Sequence, residues 1–499
     1  MKRLFRNLCL ASVCTLSVWL GLHLSQQAIG VNNQEKTLHT ISRLSYGITP
    51  QQLKQVEATG LENYIQSQLN PETIPESNLL NNKLKQLSAI APSQIQLWRQ
   101  FRQFDQKINK KDANFLSTEE KKRLTRERNK FRGQIIRQSQ QAHIARAVYS
   151  SRQLREVMTD FWFNHFNVYA PKRVVGLWVN DYENQIRSLA LGNFRDLLGA
   201  TAHHPAMLVY LDNHLNTDPK SSIKQGNARG LNENYARELM ELHTLGVNGG
   251  YTQEDVTTLA RIFTGWGIKY NPKSEDMSGF RFAQRRHDNT DKIFLGKAIP
   301  GNGVAEGEQA LDMLASHPAT AKFISYKLAQ YFVSDRPPEN LVNKLAQTFT
   351  SSNGNIKTVL DTLFHSAEFN DPQYYQTKFT TPLQYAVAVV RASNIKNFRL
   401  NALVNQLGFL GMPIYKCVTP DGYKNVESAW LNPDAMLRRL SFATNVANGN
   451  LNKQQKPNWQ KLQNTLGNSL TTKTQKAIAQ NPDNLKSALI LGSPELMYR

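Results

Sequence analysis

Apolar and polar residues along this chain mostly follow the three-to-four-residue spacing of amphipathic helices, not the two-residue alternation of strands. The periodicity predicts short helices over Thr37–Leu44 and Gln51–Leu69, then a linker around Pro71 and Pro75. Long basic helices follow over Ala91–Asn109 and Thr118–Arg137, and Ala142–Val168 carries the pattern into an aromatic cluster. Tyr182–Leu191 and Phe194–Ala200 read as further helices, ahead of a polar Gly/Asn/Ser-rich loop at about Asp212–Gly230. Asn271–Gly303 breaks the periodicity, and Phe280–Phe282 with Lys292–Leu295 predicts a small hairpin there. Helices resume at Pro318, which suits a first helical position, and run with breaks to Val389 or beyond. Leu407–Trp430 is loop-rich, and the last helices end at Tyr498. The expected fold is mainly α: one large bundle-like domain over 31–499, with a basic helical segment at 99–155 and an irregular, hairpin-bearing insert at 271–303.

Asn232–Trp266 carries the densest candidate chemistry. Asn232 is a predicted N-cap, Gly246 a C-terminal stop, and Thr252 with Asp255 a capping box for the next helix. On a wheel turning about 100° per residue, Glu238 falls among Tyr235, Leu239, Leu242 and Leu245, in the middle of the apolar arc. Glu241 lies at the arc's edge, one turn from Arg237, and His243 points away from Glu238. A buried carboxylate costs free energy unless it is paired, so Glu238 is the first candidate for chemistry.

A second wheel, centred on Trp162, turns His165 inward between Leu154 and Met158. The economical expectation is a shared interior cluster, with Glu238, His165, Glu241 and Arg237 as candidate catalytic groups. Glu183, Asp212, His243, His287, Asp288 and Trp266 are candidate binding groups around it. Such a set suits acid–base work with shifted pKa values, or a divalent metal held by oxygen and nitrogen ligands. A purely structural network holding helices in register is the competing reading. No Walker loop, GxGxxG, GxSxG or HExxH motif is present, which removes the common nucleotide-binding, serine-hydrolase and zincin readings.

Composition adds location and charge. Lys2, Arg3 and Arg6 precede an apolar run from Leu8 to Leu24, and Ala28-Ile29-Gly30 offers a cleavage site. Residues 1–30 read as a signal peptide, or else an uncleaved anchor, so the body is expected to be exported, periplasmic or extracellular. Cys9 and Cys14 belong to that leader, leaving Cys417 alone, which excludes an intrachain disulfide or cysteine-ligated zinc. Formal net charge is +21, and Arg99–Arg155 holds 16 Lys or Arg against 5 Asp or Glu. In an exported protein such a segment points to an acidic envelope polymer or membrane surface, with nucleic acid disfavoured.

The chain resembles the bacterial domain-of-unknown-function family 1800. The landmarks run in order: His39-Thr40-Ile41-Ser42-Arg43-Leu44, Phe161–Phe166, Asn232–Gly246 with Tyr251-Thr252, Thr264-Gly265-Trp266, His287-Asp288, Leu295-Gly296, His317-Pro318, Pro420-Asp421-Gly422-Tyr423 with Trp430, and Ser493-Pro494-Glu495. The basic Arg99–Arg155 segment and the ending Leu496-Met497 depart from the pattern. The resemblance implies an exported, largely helical protein of unestablished biochemistry, with no agreed catalytic residues to carry over. It also implies a partner in another exported uncharacterised family, numbered 1501. Two functions are therefore expected: an envelope or surface assembly or binding protein, or an exported hydrolase-like enzyme built on a buried Glu/His cluster with metal assistance.

Overall fold

The computed structural model describes residues 33–109, 117–221, 230–269, 278–451 and 455–499. The leader, the centre of the polar loop and the start of the insert lie outside these residues. The fold is mainly helical, and its sheet among the described residues is two separate two-stranded antiparallel hairpins.

Local signals place most helix ends. Ser117 and Glu120 form a reciprocal capping box that opens the basic helix Thr118–Tyr149. That helix runs further than its periodicity predicts, and Ser150 closes it before the next helix, Gln153–His165, begins. The predicted helix over Gln51–Leu69 is two, Pro50–Thr59 and Leu61–Leu69, divided by Gly60 at φ +87°. A helix Val304–Ser316 precedes the expected restart at Pro318, with Gly303 at φ +65° at its start. In the insert, Phe280–Phe282 pairs with Trp266–Ile268, and Lys292–Phe294 with Lys297–Ile299. The two predicted segments thus do not pair with each other; each belongs to a separate hairpin with a strand the periodicity did not predict.

One continuous apolar core extends from Leu38 to Met497. At its centre lies Gln153–His165, buried on nearly every side through Leu154, Val157, Met158, Phe161, Trp162 and Phe163. Trp162 is fully buried, and its indole N–H donates to the Ala190 carbonyl at 3.0 Å. Seven of its 13 residues are polar, and most of these are enclosed with the rest. His165 is thereby buried, while Asp160 and Asn164 stand partly buried where chemistry is controllable.

No helix of the described residues is long and apolar enough to cross a membrane. Cys417 is a free, buried thiol.

Candidate functional site

The predicted pair of helices forms, but Asn232 is not the N-cap of the first: Glu233 stands there and makes no side-chain cap bond. Thr252 and Asp255 make the capping box, Asn232 Oδ1 accepts from the Asn234 amide, and Gly246 takes φ +80°. The first helix is shorter than predicted: Asn234–Glu238 is α-helical and Leu239–His243 is a π-turn. Its buried residues are Tyr235, Ala236, Leu239, Met240 and His243, an arc centred about 130° from Glu238 on the wheel. Glu238 is only half-buried. Leu245 suggested otherwise, but it lies past the π-turn and is buried by the change of chain direction, not by a helical face.

His165 does face inward. It is buried, its Nε2 lies 3.0 Å from the His243 carbonyl, and the two imidazole centroids are 5.9 Å apart. His165 Nδ1 and both ring nitrogens of His243 lack a hydrogen-bond partner by strict geometry. Burial, with the Lys327 charge, holds both rings neutral, His165 well below its ordinary value and His243 at about 3.

His165 lines a cavity of about 280 Å³ with Asp160, Glu241, Lys327, Asp421 and Tyr423. Burial raises the Asp160 carboxyl to about 6, against the attraction of His143, and lowers the Lys327 ammonium to about 8. Asp421 faces Lys327 electrostatically; burial pushes its carboxyl up, but bonds from Lys424 and Thr419 and the Lys327 charge leave it below its usual range. Glu238 lies close enough to Glu241 and Asp421 that burial and both like charges raise its carboxyl.

The aromatic cluster builds this cavity through two asparagines. Asn164 Nδ2 donates to the Tyr423 carbonyl and its Oδ1 accepts from the Tyr423 amide, both at 2.7 Å. Asn167 Nδ2 donates to the carbonyls of Thr419 at 2.8 Å and Cys417 at 3.1 Å. Together they clamp the Cys417–Tyr423 loop and hold Asp421 at the cavity. Gly422 is required there: it takes φ +69°, and a Cβ would lie 2.2 Å from the Asn164 carbonyl oxygen.

Behind Asp160 is a buried ionic network. Glu183 is fully buried and takes His143 Nδ1 at 2.7 Å, Arg187 at 2.9 Å and the Tyr415 hydroxyl at 2.6 Å. His143 Nε2 stands 3.8 Å from Asp160 Oδ1, and both residues line a small void of about 30 Å³. Arg187 and His143 hold Glu183 well below the usual carboxylate range despite its burial.

The other candidates sit elsewhere. Arg237 faces outward, bonded to Gln253 at 2.8 Å and Glu233 at 3.2 Å, with Glu241 at 3.8 Å. Asp212 takes a left-handed conformation at φ +60° and pairs with Lys172 at 2.9 Å. Trp266 is core material, stacked on His203 with centroids 4.6 Å apart. In the insert, His287 Nδ1 lies 2.8 Å from the Thr264 carbonyl and its Nε2 lies 2.9 Å from Glu306. Lys292 Nζ donates to Glu306 at 2.6 Å, and Asp288 pairs with Arg261 at 2.7 Å. The single expected cluster is therefore three: the His165 cavity, the Glu183 network and the Glu306 triad. Among the described residues no three His, Cys, Asp or Glu side chains converge so as to hold a metal ion.

Asp160, Lys327 and Asp421 escaped the sequence reading as chemistry. A clue existed for the first: Asp160 is an acid immediately before the aromatic run Phe161-Trp162-Phe163. Lys327 lies on a distant helix, Pro318–Phe332, and has no local signal.

Residues 39–498 match the family described as "Protein of unknown function (DUF1800)". The chain belongs to the DUF1800 family. The match spans both the Asn164 motif and the loop it clamps, so the cavity lies within the family's own domain. No curated protein matches the chain, and no solved structure does.

Proposed function

We propose that this DUF1800 protein is an exported hydrolase-like enzyme acting on a small polar substrate in the Asp160–Lys327 cavity. One observation carries the reading: a carboxyl raised to about 6 and an ammonium lowered to about 8 line the same accessible cavity. Opposed shifts of this kind suit acid–base work near neutral pH. At pH 7 Asp160 is about nine-tenths ionised and serves as the base that takes a proton from water. Lys327, still protonated, stabilises the oxyanion that water attack creates. Neutral His165 supplies polarity without charge, and Asn164 holds the loop that closes the far wall.

The test is a panel of nitrophenyl esters and glycosides offered to the mature protein, to Asp160→Asn and to Lys327→Met. Turnover should show limbs near pH 6 and 8 and fall about a hundredfold in Asp160→Asn, with the fold kept. Undiminished turnover in that variant defeats the reading.

The exposed basic face favours a second role, in envelope assembly or binding. Arg99, Arg102, Lys107, Lys122, Arg123, Arg126, Lys130 and Arg137 are all exposed on the adjoining helices Gln94–Asn109 and Thr118–Tyr149. That face suits an acidic envelope polymer or an anionic membrane surface. Binding to polyglutamate should be strong at low salt and lost as salt rises; salt-insensitive binding, or none, removes this role. An exported protein of family 1501 is the protein partner to seek by pull-down.

A further inference from the structure

A second cavity, of about 370 Å³, lies where the helical residues 33–44 meet the C-terminal segment. Its wall contains His39, Glu495 and Arg499, with Tyr46, Tyr375 and Tyr498 supplying apolar faces. Arg43, one helical turn from His39, is fully buried nearby.

The polar groups around this cavity are only half used. Glu495 Oε1 accepts from the Thr471 amide at 2.9 Å, the Thr471 hydroxyl at 2.6 Å and the Thr474 hydroxyl at 2.8 Å. Its other oxygen, Oε2, is buried without a partner. The Thr471 and Thr474 bonds outweigh burial and keep this carboxyl below its ordinary value, so the bare oxygen carries charge. Arg499 is fixed by backbone pairing with Lys378, at 3.0 and 3.2 Å, and its Nη2 donates to the Tyr331 carbonyl at 3.1 Å. Its Nε has no acceptor. Arg43 spends one nitrogen on the Tyr374 carbonyl at 2.8 Å, and its Nε and Nη1 are bare. His39 stacks on Tyr375 at 4.3 Å and directs Nε2 to the Phe369 carbonyl at 3.0 Å, leaving Nδ1 bare.

Buried polar atoms are ordinarily bonded, and an orphan costs stability. Three orphans on one cavity wall, with two more on Arg43 nearby, on groups of both signs, are too many for a finished core. The charges also fail to neutralise one another. Among the described residues no ion pair joins Arg43 or Arg499 to a carboxylate side chain, although Glu495 and Arg499 share the wall. Burial, together with the positive field of Arg43 and Arg499, pushes His39 down to about 2. The cavity wall thus combines positive, negative and aromatic groups, and its charged groups keep unused bonding capacity.

We propose that this cavity binds a zwitterionic small molecule of amino-acid or dipeptide size. Arg499, backed by Arg43, takes the carboxylate; Glu495 Oε2 takes the ammonium; the tyrosines cover the apolar part. The site adjoins the Asp160–Lys327 cavity, with Gln384 in both walls, and does not depend on the function assigned there.

Titration calorimetry of the mature chain with L-phenylalanine, phenylalaninamide and N-acetylphenylalanine decides the matter. Phenylalanine should bind at least about tenfold more tightly than either capped form. Glu495→Gln should remove its advantage over N-acetylphenylalanine. Ser42→Trp, which fills the cavity from its half-buried rim, should abolish binding with the melting temperature kept. No binding of phenylalanine at millimolar concentration overturns the proposal. So does equal binding of all three compounds, or binding that survives in folded Ser42→Trp.

Discussion

The Glu306 triad and the His165 cavity are built from the same residue types and differ in completion. In the triad, Glu306, His287 and Lys292 are buried, and every ring nitrogen and carboxylate oxygen has a partner between 2.6 and 2.9 Å. In the cavity, His165 Nδ1 has no partner and the Asp160 carboxyl looks across a gap at His143. The triad's ring nitrogens and carboxylate oxygens are all bonded; it fastens the second hairpin to the helix Val304–Ser316. The cavity has spare bonding capacity and neighbouring space. Unused valence beside accessible volume, not the presence of His, Glu and Lys, is what separates a site from a rivet.

That contrast breaks first in the triad. Glu306→Gln leaves a buried Lys292 without its counter-charge, and chemical denaturation should register a loss of about 3–5 kcal/mol. A loss below about 1 kcal/mol would mean that the triad is no fastening at all.

At the cavity the sign reverses. Asp160 has a folded-state value raised to about 6 from an unfolded value near 4, so its contribution to stability is complete at low pH and is lost as pH rises through 6. Asp160→Asn should therefore gain on the wild type by up to about 3 kcal/mol between pH 4 and pH 8, read from urea melts at the two values. A difference that is flat with pH would show that Asp160 is not held near 6.

The smallest effect is expected at the residue that looked most telling in the sequence. Glu238→Gln, at a half-buried position, should change stability by no more than about 0.5 kcal/mol. Arg237→Ala, which removes only surface ion pairs, belongs in the same range. A loss of several kcal/mol at Glu238 in the same melts would restore it to the interior.

These rankings show what sequence periodicity can carry. Caps are local, so Thr252 with Asp255 and Gly246 are legible. The inward turn of His165 is legible too, because Gln153–His165 is a regular helix that keeps its phase. Phase fails where the helix does: the π-turn at Leu239–His243 ends the regular spiral, and Leu245 misdirects the wheel toward Glu238. The meeting of Asp160 and Lys327 in one cavity wall was out of reach for another reason. It joins positions 167 residues apart through tertiary packing alone. The aromatic motif announces the site without its acid–base groups, since Asn164 builds the wall and Asp160 and Lys327 furnish it.

The Asn164–Asn167 clamp also bears on how such a site changes over generations. Both amides grip backbone atoms of the Cys417–Tyr423 loop and read no side chain within it. Only Gly422 is fixed by contact with Asn164. Val418, Asp421 and the adjoining Lys424 can thus be exchanged without releasing the loop, so the recognition face is free to drift while its mount stays put. In a mutational library this family should renew its specificity at those three positions and be intolerant at Asn164, Asn167 and Gly422.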